Sequence, residues 1–126
     1  MRFFIILLLC LAFKAQAQYR ALERLPNSCL INSIAMYADI SEHFSSKNIW
    51  NNILIFQYKD PSNPRYTEGH AVCVFEFNNS YFAYDINQGS WMLKTYNINV
   101  KNNPIGTAKL ICPRYRVLSA GYLIKE

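Results

Sequence analysis

Glycine is scarce in this chain, four in 126 residues, and no two fall close enough to build the Gly-rich loop that cradles a phosphate. Histidine is scarcer, with only His43 and His70, 27 positions apart, and no Cys-x-x-Cys or His-Glu-x-x-His string accompanies them. The usual metal-site spacings are therefore missing, and neither a metal nor another cofactor is expected. Charged residues make up 17% of the chain, and the basic excess forms no run beyond Arg114-x-Arg116. That argues against a nucleic-acid partner. Nothing repeats internally, no low-complexity stretch or linker interrupts the chain, and its length suits one domain. What is abundant is apolar: 52% of residues are hydrophobic and 15% aromatic, and the net charge is +5. Such a chain has the means to bury a core, which a disordered one lacks.

The apolar residues are concentrated first at the N-terminus. After Met1 and Arg2, residues 3–13 (FFIILLLCLAF) are unbroken hydrophobics, followed by Lys14-Ala15-Gln16-Ala17. A short apolar run behind a positive charge, ending in an Ala-x-Ala pattern, is expected to be a secretory signal peptide, residues 1–17, cleaved before Gln18. Eleven residues are too few to cross a bilayer, which takes about 20. No later stretch is long enough either, so the mature domain, 18–126, is expected to be secreted or periplasmic, off the membrane. Cleavage removes Cys10 and leaves 109 residues with Cys29, Cys73 and Cys112. In an oxidising compartment an odd number of cysteines leaves a free thiol or an intermolecular bridge.

Residues 29–44 (CLINSIAMYADISEHF) place Ile31, Ile34, Ala35 and Ala38 at helical spacing behind Asn27-Ser28, which offers an N-cap. Residues 53–58, 70–77 and 81–86 are β-branched and aromatic and read as strands. A loop rich in Pro, Ser and Asn, 60–69, precedes the second of them. Asn78-Asn79-Ser80 joins the second to the third, and asparagine tolerates the positive φ of a tight hairpin. Residues 91–100, 107–112 and 116–124 are expected to be further strands. One helix followed by an antiparallel meander makes an α+β domain.

Three residues in this layout suggest chemistry. Cys29 opens the helix, so its sulfur faces unpaired backbone N–H groups and the positive end of the helix dipole, which favour a thiolate nucleophile. His70 opens one strand and Asp85 lies late in the next. With Asn78-Asn79 as a two-residue loop, paired positions sum to 157, Val72 faces Asp85, and Asp85 shares a sheet face with His70 on the diagonal. A carboxylate there can hold one imidazole nitrogen and leave the other for a nucleophile. A three-residue loop would put Asp85 on the wrong face.

Cysteine at a helix start, histidine at a strand start about forty residues on, and aspartate fifteen residues later on the neighbouring strand resemble the papain-like cysteine peptidase superfamily. The small bacterial bacteriocin-processing-peptidase-like and transglutaminase-like domains are the nearest in layout. The strings that carry the resemblance are Asn27-Ser28-Cys29-Leu30-Ile31-Asn32-Ser33-Ile34-Ala35, Gly69-His70-Ala71-Val72-Cys73-Val74 and Tyr84-Asp85-Ile86-Asn87-Gln88-Gly89. The resemblance implies a nucleophile helix packed on an antiparallel sheet. It also implies acyl transfer through Cys29, His70 and Asp85 on a peptide or isopeptide bond of a peptide or protein substrate. Papain-like peptidases usually carry a Gln about six residues before the cysteine to help bind the oxyanion. Here that region is Glu23-Arg24, and Asn27 is the side-chain candidate, beside the Cys29 N–H.

Each residue also has a plain structural reading. Cys29 suits a core or a disulfide, His70 a strand end at the surface, and Asp85 the start of a turn. The alternative for the whole chain is a binding or inhibitory domain of the same fold without turnover. Cys73 and Cys112, both in apolar strand contexts, are candidates for a bridge that staples the sheet and leaves Cys29 reduced. His43, near the helix C-terminus, reads as structural, and Trp91 as a core or groove residue.

Overall fold

A computed structural model describes residues 28–44, 49–85, 87–95 and 97–125; the expected signal segment, 1–17, and Asn27 lie outside the described residues. Helix α1 spans Ser28–His43 and buries Asn32, Ser33, Met36 and Ile40, a three- and four-residue spacing that keeps one face inward. The strands are β1 (Asn51–Lys59), β2 (Glu68–Phe77), β3 (Ser80–Asp85), β4 (Gly89–Met92) and β5 (Arg116–Tyr122), with helix α2 (Pro104–Ile111) before the last. They form one sheet in the order β4-β3-β2-β1-β5, and all four pairings are antiparallel. The α+β class expected from the sequence is what the chain adopts.

The β2–β3 turn has the geometry the asparagines suggest. Asn78 and Asn79 both take positive φ, 54° and 63°, the signature of a two-residue type I′ turn. The pairing accordingly runs from Phe77↔Ser80 to Cys73↔Tyr84. Strand parity then divides the core in two. Cys73, Phe75 and Tyr84 pack with Met36, Ile40 and Phe44 under α1. Val72, Val74 and Ala83 pack on the other face with Leu54, Phe56, Leu93, Val100 and Ala108 of α2. The helices therefore cover opposite faces of the sheet.

Three expectations need correction. Residues 107–112 belong to a helix and its cap, not a strand. Pro104 occupies the first turn, the Asn103 side chain accepts a hydrogen bond from the Gly106 N–H at 2.9 Å, and Asn103 is the N-cap. Proline's fixed φ and the asparagine cap outweigh the β-preference of the Thr and Ile that follow. A Cβ on residue 106 would come within 2.6 Å of the Asn103 side chain, so this cap needs the glycine. The strand expected over 91–100 stops at Met92. After a last bond from the Leu93 N–H to the Tyr81 carbonyl, the chain leaves the sheet edge and buries Val100 on the α2 face. The meander is also incomplete, because β5 pairs with β1 at the far edge and not with β4.

The structure does not contain the expected bridge between Cys73 and Cys112, and Cys29, Cys73 and Cys112 are all free thiols. The reason is again parity. Cys73 is buried in the α1-side cluster, whereas Cys112, the C-cap of α2, packs on the α2 side. A disulfide cannot reach through a sheet, because its Cβ atoms must lie about 3.5–4.5 Å apart. Denaturation in excess alkylating reagent, without reductant, should yield Cys29, Cys73 and Cys112 all singly alkylated by mass spectrometry. A prevalent peptide bridging 73 to 112 would contradict this packing.

Candidate active site

The β2–β3 pairing delivers Asp85 to His70. The His70 Nε2 lies 2.5 Å from one carboxylate oxygen of Asp85. The other oxygen accepts the Asn87 backbone N–H at 2.8 Å, and the Gln88 N–H donates to the Asp85 carbonyl at 3.1 Å. The turn after β3 thus fixes the carboxylate from one side and the imidazole holds it from the other. Asp85 is 6% exposed. Burial alone would push its carboxyl up, but the His70 hydrogen bond, the Asn87 N–H and the His70 charge outweigh burial and hold it below the ordinary carboxylate range. At neutral pH Asp85 is therefore ionised and can only accept. The proton between them belongs to His70 Nε2, and in the neutral ring Nδ1 keeps the lone pair.

The imidazole is also oriented from the side. Phe56 is the cross-strand partner of His70, and the two rings meet edge to face with centroids 5.8 Å apart and planes 87° apart. Phe56 is itself 1% exposed, so this support cannot swing away. His70 keeps 21% of its side-chain surface exposed, enough for a reacting group to reach it.

Cys29 comes to the same place from α1. Together with Leu30, Ile55, Gly69, His70 and Ala71 it lines a cavity of 280 Å³. Cys29 belongs to the helix on one face of the sheet, while His70 and Asp85 project from the other. His70 nevertheless lines that cavity with Cys29, on the part of β2, residues 68–72, that runs past its last pair with β3, Cys73↔Tyr84. No hydrogen bond joins Cys29 to His70 among the described residues, so the structure brings His70 and Asp85 into contact and leaves Cys29 beside them. Through Ile55 the cavity adjoins a larger hollow of 510 Å³ on β1 and β5, lined among others by Gln57, Gly121, Leu123 and Lys125.

The three thiols are not equivalent. Cys73 is fully buried and burial pushes its thiol far up. Burial, then the negative charge of Asp85, also raises the Cys112 thiol. Both are held in the neutral, unreactive form. Cys29 alone is partly exposed on a cavity that His70 also lines.

Residues that sequence reasoning left out include Phe56, Ile55 and Leu30. Phe56 and Ile55 stand on an expected strand, but the 60–67 connection is too long for its length to fix the β1–β2 register. Only the fold reveals that Phe56 faces His70. Among the described residues no group of three or more His, Cys, Asp or Glu is placed to hold a metal ion, and no helix is long and apolar enough to cross a membrane. Neither a protein-family model, nor a curated protein, nor a solved structure matches the chain.

Proposed function

We propose that this chain is an exported thiol hydrolase of papain-like type, acting on a peptide or isopeptide bond. The observation that carries the reading is the His70–Asp85 hydrogen bond beside a cavity that Cys29 lines. Export rests on the signal-like segment 1–17. In the reaction, His70 Nδ1 takes the Cys29 proton and the sulfur attacks the substrate carbonyl. The oxyanion that forms is met by the Cys29 backbone N–H at the open end of α1. The imidazolium, held by Asp85, then protonates the leaving amine, and a thioester remains on Cys29. Water or a second amine, deprotonated by His70, attacks the thioester and frees the thiol. The hollow on β1 and β5 offers room for the chain that flanks the scissile bond.

A second reading is favoured by the missing Cys29–His70 hydrogen bond: a binding or inhibitory domain that does not turn over. Substoichiometric iodoacetamide on the native protein at neutral pH separates the two when combined with an activated ester. For the hydrolase, alkylation falls on Cys29 ahead of Cys73 and Cys112. A p-nitrophenyl ester then releases a burst of nitrophenol with an acyl group on Cys29, absent in Cys29→Ala. Alkylation of Cys29 without acylation supports the binding domain. A native Cys29 that resists both reagents sinks the hydrolase reading.

A further inference from the structure

Asn32, one turn into α1, is 1% exposed. Its side-chain amide donates through Nδ2 to the Ser28 carbonyl at 2.8 Å, while its Oδ1 is buried with no hydrogen-bond partner among the described residues. A buried amide with an idle carbonyl is an expensive way to fill a helix–sheet contact, because an apolar side chain of similar shape would leave nothing unsatisfied. What the amide does make is one bond, and its acceptor is special. The Ser28 carbonyl and the Cys29 N–H are the two ends of a single peptide group. Hydrogen bonds in series polarise one another, so a donor on the carbonyl strengthens the N–H at the other end of the same plane.

We infer that Asn32 is a positioning residue for the oxyanion site: its Nδ2 pins and polarises the Ser28–Cys29 peptide so that the Cys29 N–H is aimed and strengthened as the donor to the tetrahedral intermediate. This role rests on the hydrolase reading above. A neighbouring bond supplies the control. Ser33 Oγ donates to the Cys29 carbonyl at 2.7 Å, a contact of the same i to i−4 kind one peptide further along. The N–H of that peptide belongs to Leu30.

Two reactions of the same thiol separate this role from simple support of the helix. Acylation by a p-nitrophenyl ester passes through an oxyanion. Alkylation by iodoacetamide forms the S–C bond at a saturated carbon as iodide leaves, and no oxyanion develops. Asn32→Leu keeps the volume without the donor, and Asn32→Asp keeps the shape with an acceptor in place of the N–H. In whichever of the two retains the wild-type circular dichroism, acylation should fall roughly five- to twentyfold relative to alkylation. That is less than the roughly 10²–10³-fold that follows loss of a whole oxyanion donor, because the Cys29 N–H itself remains. Ser33→Ala should leave the ratio within about twofold of wild type, a small margin beside that loss. A ratio unchanged in the Asn32 variants, or lowered as far by Ser33→Ala, overturns the role. Wild-type protein that is alkylated at Cys29 but never acylated overturns both the hydrolase reading and this role with it.

Discussion

Replacing His70 by alanine is expected to slow acylation of Cys29 by about 10²–10⁴-fold at neutral pH, the range a positioned general base contributes. The side chain does two things at once: Nε2 is committed to Asp85 at 2.5 Å, and Nδ1 is the base left over. Alanine also removes the edge-to-face contact with Phe56, which contributes about 0.5–1.5 kcal/mol. A denaturant titration should show that loss together with the about 1–3 kcal/mol of the severed bond to the buried Asp85 carboxylate, and a transition that stays cooperative keeps a chemical effect apart from an unfolded protein. Because the missing ring leaves space beside a partly exposed cavity, added imidazole should recover part of the lost rate. A His70→Ala variant that acylates within about twofold of wild type would remove His70 from the mechanism, whatever its contact with Asp85, since a positioned base contributes at least 10²-fold.

Asp85→Asn carries the second large effect, and it has two readouts. Kinetically, Asn at this position still accepts one hydrogen bond but presents an N–H₂ to the other partner. Facing His70 Nε2, that group drives the imidazole proton to Nδ1 and takes away the base. The acylation rate should fall by about 10²–10⁴-fold, as expected when a triad carboxylate loses control of the tautomer. Thermodynamically, the Asp85 carboxyl sits below its ordinary value in the folded protein, so the folded state favours the ionised form. Its contribution to stability is fully present above the unfolded value of about 3.9 and fades as pH falls through the folded value. Wild type should therefore exceed Asp85→Asn by about 1–3 kcal/mol near neutral pH, the range for a hydrogen bond to a charged group. The gap should close below about pH 4. Urea titrations at several pH values give the comparison directly. A gap that persists undiminished well below about pH 4 would mean the carboxyl is not held in its charged form.

How far the site could be read beforehand depended on how local each relation is. His70 and Asp85 are fifteen residues apart across a hairpin, and Asn78-Asn79 restricts that hairpin to a turn of known length. Parity then follows by counting, and the register of Phe77↔Ser80 through Cys73↔Tyr84 is the one counting demands. Asn32 lay within a quoted motif, but its meaning depends on burial and on a specific acceptor, neither visible in a string. Cys112 ends a helix and not the expected strand, because Asn103 and Pro104 start a helix where composition alone suggests a turn. Pairing cysteines by strand context also ignores which face each one occupies.

From the sequence alone came the class, the first helix, the β2–β3 hairpin and the shared face of His70 and Asp85. All of these rest on periodicity or on a turn whose residue types allow few geometries. Only the tertiary structure decided that α2 crosses to the opposite face from α1, that β5 closes on β1, and that the three thiols stay apart. Those outcomes depend on which long-range pairing buries the most apolar surface, and loops such as 60–67 and 93–103 leave that choice open. That Cys29 lines one cavity with His70 is of the second kind, because no spacing within either segment records how α1 seats on the sheet.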